Sequence, residues 1–188
     1  MDKNKKYQIF ISSTSKDMSE VRMQLIESLF QSTKYFPIAM EHFLACPSII
    51  DMLYENISNS SVYILLVKSN ADTCISSCGN GRNEACLEKI MNNNVRVKEE
   101  IYRLVTSLKE MYGSFSISDL TFTQVEFAFA KSLQIPMLGY VYDDKISENL
   151  EKRRSLISGS DDGIAYGSWS DGKELCIYVN QSFEYFAS

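Results

Sequence analysis

The chain has 188 residues, 45% of them hydrophobic and 23% charged, which suits one domain, or one domain with a large insertion, around a well-buried core. Its formal net charge is −5 and its one basic cluster is Lys3, Lys5 and Lys6, a solvated terminus, which argues against a nucleic-acid groove. No stretch approaches the about 18 apolar residues of a membrane span. The opening MDKNKKYQIF runs into a strand without a signal-peptide pattern, so a cytoplasmic protein is expected.

Tyr7 to Ser12 reads as a strand, rich in Ile and Phe and stopped by Ser12, Ser13 and Thr14. A helix is predicted over Asp17 to Ser32, with Met18, Val21, Leu25 and Leu29 on one apolar stripe. Phe36 to Phe43 is a second strand, with Pro37 near its start. Ser48 is a plausible N-cap for a second helix whose buried stripe is Ile50, Leu53, Tyr54 and Ile57. The unbroken run Val62 to Val67 (VYILLV) suits a central strand of a parallel sheet, covered on both faces. The order β-α-β-α-β predicts a doubly wound α/β sheet with right-handed crossovers.

Between Ala71 and about Leu120 the alternation breaks. After a polar loop, two helices are predicted, Glu84 to Met91 and Val95 to Tyr112. The second carries Val97, Ile101, Leu104, Val105, Leu108 and Met111 along one side. Residues 1–188 are thus read as one domain with a helical insertion over 71–120. The insertion adds an apolar stripe to a core that five strands should complete without it, so it is expected to mediate self-association. The α/β alternation resumes with a helix over Thr121 to Leu133 and a strand over Ile135 to Tyr142. A weakly helical charged segment, Lys145 to Ile157, follows, then an edge strand within Gly163 to Trp169. Asp171 and Glu174 resemble a capping box opening a last helix to about Phe186, with Leu175, Tyr178, Val179 and Phe183 facing inward.

Five cysteines, Cys46, Cys74, Cys78, Cys86 and Cys176, are an odd count that argues against a disulfide framework. Cys74, Cys78 and Cys86 cluster, but their spacing is poor for zinc and a fourth ligand is missing, so no metal is expected. The single histidine, His42, makes Ser-His or Cys-His catalysis improbable, and no Walker loop, GxGxxG or GxSxG occurs.

Ligands of doubly wound sheets bind at the carboxyl ends of the strands. Those ends carry Ser12, Ser13 and Thr14, then Glu41 and His42, then Lys68 and Ser69. Hydroxyls beside a helix N-terminus could hold a phosphate; equally, Ser12 to Thr14 are ordinary turn and cap residues. Glu126 is more informative. It falls four residues after Phe122 and three before Phe129, on the buried stripe of its helix, where a lone carboxylate is costly. It is either functional or a structural ion pair, for instance with Arg22.

YQIFISSTSKDMSEVR followed by PIAMEHF resembles the TIR-like family called domain of unknown function 4062, which opens F-I-S-S-T and continues with Asp, a hydrophobic residue and Arg, then P-x-x-M-E-x-F. Tyr112, Gly113 and Ser114 match a Y-G-S segment of that family. Thr123, Glu126 and Ala130, with Ile135, Pro136, Met137 and Leu138, match its later helix and strand. Val21 stands where the family usually has Glu, and about forty residues separate the third strand from Tyr112, where the family spacing is short.

The resemblance implies a flavodoxin-like (TIR-like) three-layer fold of about five mostly parallel strands, related to TIR domains and nucleoside deoxyribosyltransferases. In those relatives a glutamate on the corresponding helix handles the ribose of an N-glycosidic bond. It further implies an enzyme that cleaves the nicotinamide–ribose bond of NAD, by hydrolysis or cyclisation to a nucleotide signal, in bacterial anti-phage defence. Glu126 would be catalytic. Ser12, Ser13 and Thr14 would face nicotinamide or phosphates, with Arg22 and Gly113 in the same site, Tyr112 stacking on a base and Glu41 a second carboxylate. NAD would be substrate, with no cofactor, and the partner a second copy of the chain or a defence-system protein. The alternative is a non-catalytic signalling or assembly module that binds a nucleotide or a protein.

Overall fold

The structure is a computed structural model that describes residues 6–13, 18–39, 48–68, 73–77, 81–142 and 166–187. Strand β1 is Tyr7–Ser13, helix α1 Ser19–Phe30, β2 Tyr35–Ala39, α2 Ile49–Ser58 and β3 Val62–Val67. The insertion forms α3 (Arg82–Asn93) and α4 (Val95–Tyr112). Then come α5 (Phe122–Ser132), β4 (Met137–Tyr142), β5 (Tyr166–Trp169) and α6 (Gly172–Ala187). Thr14, Glu41, His42, Cys46, Cys78 and the segment 145–157 lie outside the described residues.

Among the described residues the five strands form one sheet of order β2-β1-β3-β4-β5, with every neighbouring pair parallel. This is the flavodoxin-like order, whose topological switch point lies between β1 and β3. The chain is a three-layer α/β fold, as expected. β3 is buried along its whole length because both faces are covered. Its even residues, Val62, Ile64 and Leu66, pack with Leu25, Leu29, Leu175, Val179 and Phe183 of α1 and α6. Its odd residues, Tyr63, Leu65 and Val67, pack with α2, α3, α4 and α5. Each such side chain contributes about 1.5–3 kcal/mol by leaving water.

Local signals place the helices. Ser48 caps α2, its hydroxyl accepting from the Asp51 amide at 3.2 Å. Asn94 caps α4 through the Val97 amide, 3.2 Å, while its amide nitrogen donates to the Tyr54 hydroxyl at 3.0 Å. At α6, Asp171 accepts from the Lys173 and Glu174 amides, but Glu174 turns back to Ser170 instead of Asp171, so the expected box is displaced by one residue. Tyr178, expected to face inward, is 37% exposed, and its hydroxyl donates to Glu174 at 2.8 Å.

Val97, Ile101, Leu104 and Leu108 of α4 are fully buried, in the same cluster as Phe127 and Phe129 of α5 and Leu87 of α3. Glu100 pairs with Arg103 at 2.6 Å and meets Lys131 of α5 at 3.6 Å. Most of the stripe is therefore covered by the chain's own helices, while Met111 at its end is 40% exposed. The two ends of the insertion meet: Ile75 donates to the Leu120 carbonyl at 2.9 Å, and Phe122 to that of Thr73 at 3.1 Å. This closure sets where α5 begins. Among the described residues no helix is long and apolar enough to cross a membrane.

Candidate functional site

The carboxyl end of β1 is where the sequence-predicted residues converge. Successive side chains of a strand point to opposite faces, so the adjacent residues Ser12 and Ser13 serve different layers. Ser12, on the face of Phe10, turns toward α5. Ser13, on the face of Ile9 and Ile11, turns toward α1.

On the α5 side, the helix is fixed by a capping box: Thr121 accepts from the Gln124 amide at 3.3 Å, and the Gln124 side chain accepts from the Thr121 amide at 2.8 Å. Thr123 and Glu126, three residues apart, share the face toward β1. The Thr123 hydroxyl donates to the Ser13 carbonyl at 3.0 Å. Glu126 is 2% exposed and accepts a hydrogen bond from the Ser12 hydroxyl, itself buried. A carboxyl group buried this deeply needs such a partner. On the other side, the Arg22 guanidinium, one turn into α1, donates to the Ser13 hydroxyl. Sequence reasoning considered a direct pair between Glu126 and Arg22. The structure ties each to a serine of the same strand end, Glu126 to Ser12 and Arg22 to Ser13.

Of the residues singled out in the sequence, the structure thus brings together Ser12, Ser13, Arg22 and Glu126, with Thr123 added. Tyr112 is 47% exposed at the end of α4, its ring 6.3 Å from that of Phe115. Gly113 has a fold-level role. With φ +79 it ends α4 in a left-handed conformation, its amide donating to the Lys109 carbonyl at 2.8 Å. A Cβ added there would meet nothing within 4 Å, so no close approach demands glycine.

Two residues of the same edge received little weight from sequence. Lys68, directly after β3, holds its ammonium 5.1 Å from the centroid of the Tyr142 ring, and Tyr142 lies edge-on to Trp169 at 4.8 Å. Strand register was the missing signal, since these residues are far apart in sequence and level in the sheet. Among the described residues, no group of three or more His, Cys, Asp or Glu is placed to hold a metal ion.

Residues 8–70 match the model of the family described as Domain of unknown function (DUF4062), the family whose motifs the sequence resembles. The match runs from β1 to just past β3. It includes Ser12, Ser13, Arg22 and Lys68 and stops before Glu126. No curated protein matches the chain. A solved structure described as "Crystal structure of a probable GTP-binding protein engB" is similar, with 15% identity over 94% of this chain and 97% of that one and a TM-score of 0.47. A likeness at that level carries nothing over to this chain.

Proposed function

We propose that the chain cleaves the N-glycosidic bond between nicotinamide and ribose in NAD or a closely related nucleotide. The observation that supports this reading is the buried Glu126 carboxylate, hydrogen-bonded by Ser12 at the switch point of the sheet.

In such a reaction the C1′–N bond breaks and its electron pair passes to the pyridinium nitrogen, which leaves as neutral nicotinamide. Positive charge develops at C1′. Glu126 opposes that charge or bonds to C1′, as carboxylates do in glycosidases. Water then adds at C1′ and loses a proton, giving the hydrolysed nucleotide; if a nitrogen of the same nucleotide adds instead, the product is cyclic. Ser12 fixes the carboxylate so that little reorganisation is needed when charge develops. The reading has the protein act in the cytoplasm, and its place in anti-phage defence rests on the family resemblance alone.

One observation favours a second reading. The Ser12–Glu126 bond also ties α5 to β1, so it can serve a nucleotide-binding or assembly module without turnover. Incubating the purified chain with NAD and measuring free nicotinamide separates the two. Under the catalytic reading, Glu126→Gln lowers release by about 10²–10⁴-fold with an unchanged circular dichroism spectrum. Wild-type-like release by the Gln variant removes Glu126 from the chemistry, and no release by the wild type favours the module.

A further inference from the structure

The carboxyl edge of the sheet carries opposite charge on its two faces. Glu126 stands on the α5 face through Ser12. The cations stand on the α1 face: Arg22 on Ser13, and Lys68 beyond β3. The register fixes where Lys68 lies. Ser13 pairs with Leu66, and Lys68 follows two residues later, which puts the two Cα atoms about 8 Å apart for ordinary strand spacing and rise. Val67 pairs with Val141 and Tyr142 with Trp169, so Lys68, Tyr142 and Trp169 form one level row across β3, β4 and β5.

That row shapes what the lysine can do. A lysine at a strand end ordinarily swings through solvent. Here the ammonium sits over the Tyr142 ring, within the range of a cation–π contact, and the ring is held edge-on against Trp169, which is 2% exposed. The charge is therefore held on an aromatic floor at the carboxyl end of β4, one strand beyond the switch point between β1 and β3. A ligand suited to this edge has one end that becomes positive during reaction and another that bears phosphate.

We propose that Lys68, together with Arg22, forms an anion subsite that takes the phosphate groups of the nucleotide whose ribose lies at Glu126. The placement of the ribose rests on the function proposed above; the anion subsite itself does not require turnover.

The test uses inorganic pyrophosphate as probe, with calorimetry for affinity and the emission of Trp169, the single tryptophan, to locate binding. The wild-type chain should bind saturably with a change in emission. Lys68→Met keeps the aliphatic stem and removes the charge, and should weaken binding about tenfold or more, since a hydrogen bond to a charged group is lost. Lys68→Arg should restore it, which also guards against a misfolded Met variant. Glu126→Gln should bind pyrophosphate like the wild type. With NAD, Lys68→Met should raise KM and leave kcat nearly unchanged, while nicotinamide riboside, which has no phosphate, should be turned over as by the wild type. Absence of pyrophosphate binding by the wild type, or equal binding by Lys68→Met, overturns the subsite. Lys68-dependent binding without nicotinamide release from NAD would sink the glycosidic reading and leave the subsite standing.

Discussion

Leu104→Ala tests whether the insertion belongs to the core of this chain or to an interface. Leu104 has no exposed surface and lies in the cluster that joins α4 to α5. Truncating a buried leucine costs the transfer free energy of the lost atoms plus that of the residual cavity, about 3–4 kcal/mol at a site this enclosed. Against a total stability of about 5–15 kcal/mol, this is a large fraction. For a chain of this size it should lower Tm by about 10 °C. Val95→Ala, at a position 68% exposed on the same helix, should change stability by less than about 0.5 kcal/mol and serves as the control. Thermal and urea unfolding followed by circular dichroism, repeated at two protein concentrations, gives the answer. If α4 packs on α5 within one chain, the loss is large and independent of concentration. A loss below about 1 kcal/mol, or a wild-type Tm that climbs with concentration, would show that the stripe is not covered by its own chain. The same geometry means that Ile101→Glu and Leu108→Glu would put charges into a closed core. They are expected to yield unfolded protein and not a monomer freed from a partner.

Ser12→Ala should lower NAD turnover roughly ten- to hundredfold and destabilise the fold by about 1–3 kcal/mol, because the buried Glu126 carboxylate loses a donor; unchanged kinetics would show that the serine does not position it. Burial pushes the Tyr140 hydroxyl above the ordinary tyrosine range, although its hydrogen bond with Ser182 pulls the other way. The folded state thus holds that proton after the unfolded chain has released it. Tyr140 contributes its stability fully below about pH 10 and loses it as pH rises through the raised value. Urea midpoints between pH 8 and pH 11 should fall more steeply for the wild type than for Tyr140→Phe, and parallel curves would refute the assignment. Cys74 and Cys86, with Cys78 between them in sequence, should hold no zinc, and a stoichiometric metal content by elemental analysis would overturn that expectation.

The layers of this fold were legible because each leaves a periodic trace. The all-apolar VYILLV suited a strand covered on both faces, and Leu25 and Leu29 fell on one stripe of α1. Glu126 was legible for the same reason, as a charge that breaks a 3.6-residue apolar pattern. Periodicity shows that a stripe is buried but not what buries it. The sequence of α4 therefore read equally well as a dimer surface, and only the pairing of Thr73 and Ile75 with Leu120 and Phe122, across more than forty residues, shows that the insertion returns to its own core. Tyr112 and Gly113, which match a motif of the family, end α4 at the surface.

The site itself turns on a period of two. Ser12, Ser13 and Thr14 invite reading as one hydroxyl cluster, but a strand separates neighbours onto opposite faces. That alternation hands Ser12 to a carboxylate on α5 and Ser13 to a guanidinium on α1. It also places Lys68, level with Tyr142 and two residues beyond the partner of Ser13, on the guanidinium's side. Glu126 and Arg22 are thus each held by a serine of one strand end. A nucleotide bridging that edge would satisfy both faces at once, whereas either charge alone would suit only a carboxylate-binding or a cation-binding ligand. Glu126→Gln should therefore lose nicotinamide release and keep pyrophosphate binding, whereas Lys68→Met should weaken pyrophosphate binding; loss of pyrophosphate binding in Glu126→Gln would show that the two faces do not act separately.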